Sequence, residues 1–233
     1  TFLQRAYDQI VHDIAIEGLH VVLCVDRAGI VGADGATHNG VLDIAFLRSI
    51  PGMKIFCPSD FAELRVMLSR AIYREDGPVA VRYPRGGEGA YRKELSAQPL
   101  VRVQERFGRE VSIITHGVLL QQALYAADIL EKEGIRADVY KVNEIGSGLE
   151  AAFAEKAQEL GSWCVVVEDV VPNGSVGEWL AAHRTARTDL LNTGDRFLPH
   201  GGVNELYRHC GIDAEGIAAY IIKNRNRKEN GVG

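Results

Sequence analysis

Val21-Val22-Leu23-Cys24-Val25, running straight into Asp26-Arg27-Ala28-Gly29, decides the fold. The apolar run is unbroken and short enough to be a buried strand, and a strand covered on both faces is the mark of a parallel sheet. Lys54 to Cys57 gives a second such strand, stopped by Pro58. Val79 to Tyr83 gives a third, broken by Pro84. Helical signals alternate with them. Thr1 and Gln4 match a capping box, and Leu3, Ala6, Tyr7, Ile10, Val11 and Ile14 then recur at helical spacing until Gly18. Asp60 and Glu63 form another capping pair, for a helix that runs to about Tyr73. Strand and helix in this alternation predict a parallel α/β sheet.

Periodicity fades from about residue 87 to 108, where charges of both signs mix. A second α/β pattern follows, with strands predicted at Val111 to Ile114, Ala137 to Val142 and Cys164 to Val167. A helix carries Leu120, Ala123, Leu124, Ala127 and Leu130; two more end the chain, over Leu206 to Cys210 and Ile217 to Ile222. The expected architecture is two doubly wound α/β domains, residues 1–88 and 108–233, joined by a linker at 89–107, the second with a mostly parallel sheet. Three strands and a helix without its feeding strand make the first domain partial, so further sheet is expected before Thr1. The second domain is then expected to fold unaided and the first to be unstable alone.

Of 233 residues, 26 are basic and 31 acidic, a net charge of -5. Nucleic-acid binders need a basic patch, and the one dense basic run, Lys223 to Lys228, reads as a solvated end. No apolar stretch is long enough to span a membrane. The four cysteines, Cys24, Cys57, Cys164 and Cys210, form no Cys-x-x-Cys pair and read as reduced thiols of a cytoplasmic protein, three of them in buried strand-like segments.

Ligands of open α/β sheets bind beyond the carboxyl ends of the strands. Phe2, Arg27, Ser59 and Arg85 occupy such positions. Arg27 and Arg85 suit a bidentate grip on phosphate; the alternative is surface pairing with Asp26 or Asp60. His38, in Gly32-Ala33-Asp34-Gly35-Ala36-Thr37-His38-Asn39-Gly40, is either a proton donor and acceptor or simply a solvated loop histidine. Asp34 is by default a turn residue. Phe2 either belongs to the core or stacks on a heteroaromatic ring. His116, His183, His200 and His209 lack metal-ligand spacing and read as structural or surface residues.

Three blocks are similar to the 1-deoxy-D-xylulose-5-phosphate synthase family of transketolase-type enzymes: Thr1 to Gln9, Asp26 to His38, and Arg82-Tyr83-Pro84-Arg85-Gly86. Pro199-His200-Gly201 and Gly211 to Ile217 resemble its C-terminal domain. The resemblance implies a partial pyrimidine-binding domain followed by a C-terminal domain, in a homodimer that uses thiamine diphosphate and Mg²⁺. The implied reaction condenses pyruvate with glyceraldehyde 3-phosphate and releases CO₂, at the entry to isoprenoid and thiamine synthesis. Phe2 would stack on the aminopyrimidine, with Arg5 beside it on the first helical turn. Arg27, Asp34 and Arg85 would bind substrate, and His38 would exchange protons with it. The family's cofactor-activating glutamate and its Gly-Asp-Gly metal motif lie before Thr1, so this stretch alone is not expected to catalyse. The Asp-Arg-Ala-Gly and Tyr-Pro-Arg-Gly blocks count against a transketolase proper or a keto-acid dehydrogenase β subunit. A non-catalytic assembly module on the same fold is the rival from another class.

Overall fold

The computed structural model describes residues 2–89 and 96–226. Thr1, and with it the expected first cap, lies outside the described residues, as do Arg227 and Lys228 of the basic run. Phe2–Ala6 winds as a 3₁₀ helix, α1 (Tyr7–Gln9) as a single α turn and Ile10–Ala15 as a π-helix. Then come β1 (Val22–Asp26), α2 (Asp43–Arg48), β2 (Lys54–Phe56), α3 (Phe61–Tyr73) and β3 (Val79–Tyr83). The second half holds β4 (Leu100–Gln104), β5 (Val111–His116), α4 (Leu120–Lys132), β6 (Ala137–Val142), β7 (Glu144–Ile145), α5 (Ser147–Glu155) and α6 (Ala157–Leu160). It ends in β8 (Trp163–Val167), α7 (Val176–His183), β9 (Arg187–Leu191), α8 (Val203–Cys210) and α9 (Ala214–Asn224).

The α/β class and the mostly parallel sheets are as the sequence predicts. The first sheet has the order β1-β3-β2-β7, and its first three strands are parallel. The second has the order β4-β6-β5-β8-β9, parallel except for β4. Three strands escape the sequence reading, β4, β7 and β9. β4 falls inside the expected linker: Leu100 and Val103 turn inward, but a register shift between Arg102 and Gln104 breaks the alternation. β7 pairs antiparallel with β2, so the second half of the chain supplies an edge strand of the first sheet.

Two further expectations are corrected. β1 is an edge strand among the described residues, and of its five residues only Val25 is buried, so it is not covered on both faces and Cys24 is exposed. Cys57 and Cys164 are buried, and burial pushes their thiols up to about 12 and about 11. The second capping box forms by half. Asp60 accepts from the Glu63 amide at 2.8 Å, but the Glu63 carboxylate turns to the Ser59 amide and hydroxyl at 2.8 and 2.7 Å. It is drawn there by Lys141 of β6, whose ammonium it meets at 2.5 Å. That ion pair joins α3 to the second sheet.

The two halves also share their cores. Ile44, Leu47 and Ile55 pack in one cluster with Ile114, Tyr140 and Val166 of the second sheet. Ile30, inside the glycine-rich segment, and Val41, just after it, sit in the other large cluster with Leu119, Leu206 and Tyr207. The first half is therefore anchored in the second, and no independent melting of either is expected. Leu47→Ala, at a fully buried position, should cost about 2–5 kcal/mol. Denaturant unfolding followed by tryptophan fluorescence and by circular dichroism should show one coincident, shifted transition.

Candidate functional site

The exits of β1 and β3 lie side by side because these strands pair in register, with Asp26 opposite Tyr83. The Tyr83 carbonyl accepts a hydrogen bond from the Ala28 amide at 3.0 Å, which ties the turn after β1 to the exit of β3. Within that turn Arg27 holds φ at 60°, a left-handed conformation costly for a residue with a β-carbon. Gly40 closes on it so tightly that a Cβ there would lie 2.2 Å from the Arg27 carbonyl oxygen.

The glycine-rich segment is more ordered than its composition suggests. Gly29 and Gly40 exchange amide hydrogen bonds at 3.0 and 2.8 Å, closing it into a loop. Inside, Gly32–Asp34 and Ala36–His38 form two 3₁₀ turns. The buried Asn39 accepts from the Val31 amide at 2.7 Å. The second half presses on the loop from outside: Gly201 donates its amide to the Gly32 carbonyl at 3.1 Å, and the His200 ring nitrogen meets the Ala33 carbonyl at 3.0 Å. His200 thus has a structural partner, as its sequence reading has it.

On this frame the six singled-out residues form two linked groups. Asp34 sits between two guanidinium groups, 2.5 Å from Nη1 of Arg85 and 3.7 Å from Nε of Arg27. Arg27 also bonds the Asp26 carboxylate at 2.7 Å, so part of the surface-pairing alternative is realised. The hydrogen bond from Arg85 holds the Asp34 carboxyl below its usual range, with His38 and Arg27 adding to the effect. In the second group Phe2, half exposed, meets the His38 ring edge-to-face at 5.5 Å and lies under the Arg5 guanidinium at 5.1 Å. The Thr37 hydroxyl is 2.9 Å from Nδ1 of His38. His38 therefore touches the aromatic group and is electrostatically coupled to the ionic one. Ser59 does not join them, being buried and bonded to Glu63. A groove of about 50 Å³ beside Arg85, between Phe61 and Tyr83, is lined by none of the six.

Sequence reasoning missed a buried polar cluster directly beneath. Arg82 of β3, 4% exposed, forks onto Asp43 of α2 at 2.9 and 3.3 Å. It also reaches His116 at 3.1 Å and Asp169 at 3.5 Å. His116 meets Glu168 at 3.2 Å. The available signal was an arginine inside Val79-Ala80-Val81-Arg82-Tyr83, a strand otherwise wholly apolar or aromatic.

The transketolase pyrimidine binding domain model matches residues 1–88, and the transketolase C-terminal domain model matches residues 101–217. The chain belongs to the transketolase family. It is 40% identical over 234 residues to the 1-deoxy-D-xylulose-5-phosphate synthase of Chlorobium luteolum, a match spanning 95% of this chain and 36% of that protein. It is 42% identical over 228 residues to the synthase of the same name from Klebsiella pneumoniae strain 342, with the same two coverages. The chain thus spans little more than a third of these relatives. Among solved structures, a split gene transketolase described as an inactive β4 tetramer superposes with a TM-score of 0.81 at 26% identity, over 95% of this chain and 73% of that one. The Campylobacter jejuni transketolase shares the fold, with a TM-score of 0.78 at 18% identity, over 95% of this chain and 34% of that one.

The Asp34 carboxyl, lowered by its two arginines, should titrate by NMR below the ordinary aspartate value and return towards it in Arg85→Ala. The sign follows from linkage. A depressed carboxyl favours the folded chain above the unfolded-state value near 4, and that contribution fades as pH falls through the folded one.

Proposed function

We propose that the chain forms the pyrimidine-side and acceptor-side walls of a 1-deoxy-D-xylulose-5-phosphate synthase, which condenses pyruvate with glyceraldehyde 3-phosphate and releases CO₂. In this reading residues 1–88 are the partial pyrimidine-binding domain and residues 108–233 the C-terminal domain; β4 makes the segment 89–107 more than a linker. The observation that carries the proposal is the pair of guanidinium groups, Arg27 and Arg85, bracketing one carboxylate at adjoining strand exits. Two forked donors at that spacing suit a phosphate dianion. Asp34, already between them, is placed to bind a hydroxyl or carbonyl of the same substrate.

Thiamine diphosphate, when bound, supplies a carbanion-stabilising ylid. The residues present suit its ring: Phe2 offers a half-exposed aromatic surface, and Arg5 fixes that ring from one side. Mg²⁺ is proposed to accompany the diphosphate. Among the described residues no group of three His, Cys, Asp or Glu could hold a metal, so its ligands are proposed to come from elsewhere. His38, against Phe2 and within the field of Asp34, is the group placed to hold or move a proton between cofactor ring and acceptor. No helix among the described residues is long and apolar enough to cross a membrane, and we read the protein as cytoplasmic. Exposed Phe2 and Tyr7 in the first helical segment and Ile16 and Leu19 just after it, with β1 unpaired on one side among the described residues, support self-association as a homodimer. The β4 tetramer of the split gene transketolase is in keeping with that.

The test is an assay for 1-deoxyxylulose 5-phosphate and CO₂, with the protein alone and mixed with a chain carrying the N-terminal domain of a synthase relative. Product from the mixture is expected; its absence in both overturns the proposal. In the active assembly Arg85→Ala should raise KM for glyceraldehyde 3-phosphate about tenfold or more, the size of one lost charge-assisted hydrogen bond, while KM for pyruvate stays put. His38→Ala should lower kcat by roughly 10²–10⁴-fold with thiamine diphosphate affinity, measured by calorimetry, unchanged.

A further inference from the structure

The network around Arg82 draws on both halves of the chain. Asp43 comes from α2 and Arg82 from β3, whereas His116 ends β5 and Asp169 follows β8. All four are at least nine-tenths buried. The proton inventory is fixed by the donors. A guanidinium cannot accept, so Nδ1 of His116 accepts from Arg82 and the ring proton sits on Nε2, facing Glu168 at 3.2 Å. Glu168 in turn accepts the Val176 and Gly177 amides at 3.0 and 2.9 Å, at the start of α7. Arg82 is thus hydrogen-bonded to Asp43 and His116, which are themselves held by the Ile44 amide and by Glu168, and it is ion-paired with Asp169.

What Arg82 fixes lies one and three residues on. Its neighbour Tyr83 supplies the carbonyl that grips Ala28, next to Arg27. Arg85 follows two residues later. From the other side, the Asp169 carboxylate that Arg82 meets packs on Gly29, where an added Cβ would lie only 1.8 Å from its oxygen. One buried cation therefore constrains the backbone just after Arg27 and just before Arg85. We infer that Arg82 is a positioning residue for the anion grip, and that the second half of the chain, through Asp169 and His116, sets the separation of Arg27 and Arg85. The role is separate from contact with substrate, because Arg82 is buried beneath the site.

This inference rests on the reading of Arg27 and Arg85 as a phosphate grip, and the test separates the two. The full chain is titrated with glycerol 3-phosphate by calorimetry and by following the arginine Nε–H signals in NMR, well below its melting temperature. Arg82→Met should weaken binding about tenfold, the effect of misplacing one charge-assisted hydrogen bond, and Arg82→Lys should recover part of the loss. Lys141→Met is the control. It removes another buried cation that joins the halves, through Glu63, without touching the turn; it should lower the melting temperature and leave affinity unchanged. If Arg82→Met does not fold, Asp169→Asn, which keeps the side-chain volume, should lower affinity in the same direction. Wild-type chain that fails to bind sinks the grip and this inference together. Wild type that binds, with Arg82 and Lys141 variants losing affinity alike or not at all, and Asp169→Asn equal to wild type, overturns the positioning role alone.

Discussion

A guanidinium group taken out of water is the constraint on which this structure turns. Burying the Arg82 charge costs several kcal/mol unless carboxylates and lone pairs surround it. Asp43, Asp169 and the unprotonated nitrogen of His116 do so, each from a different element. Those elements cannot move apart without stranding a charge in an apolar interior. The consequence is geometric more than energetic. The exits of β1, β3, β5 and β8 are held to one spacing, and the exposed residues above inherit it.

Above that layer the glycine-rich loop obtains its order by other means. Ile30 and Val31 anchor one end of it in the core, and the rest of its shape comes from backbone closure between Gly29 and Gly40 and from Asn39. Glycine is required at Gly32 and Gly40 because neighbouring carbonyl oxygens stand where a Cβ would be. Arg27, by contrast, keeps a left-handed backbone despite its side chain, an arrangement that survives only where surroundings over-determine it. Here they are its own pairing with Asp26, the Tyr83 carbonyl and Gly40.

Much of the frame was legible in the sequence because it followed from local pattern. The apolar runs at Val79 to Tyr83 and Cys164 to Val167 are strands, and Asp60 does cap α3. The six candidate residues stood out through motif and strand-exit position, and the structure gathers them into two adjoining groups. What escaped depends on partners distant in sequence. β7 is two residues long and exists only because β2 is beside it. β9 has no apolar run, since Asp189 is used to bind Arg187 and the Trp163 indole. Glu63 leaves its expected capping partner for Lys141, which follows 78 residues later and carries no local sign of the pairing. Arg82 looked like one more letter of a motif, because burial of a charge is invisible until its counter-charges are placed.

β7 has a consequence for the order of events during synthesis. The outer edge of β2 can find its antiparallel neighbour only after Glu144 and Ile145 have left the ribosome, by which point the strands of the second sheet up to β6 have already emerged. Until then β2 presents unpaired amides and carbonyls, the kind of edge that recruits strands from other chains. The first sheet thus waits for a strand from the second half of the chain to cover β2, and that strand emerges before β8 and β9. A nascent chain of this family gains from anything that shields β2 during that interval.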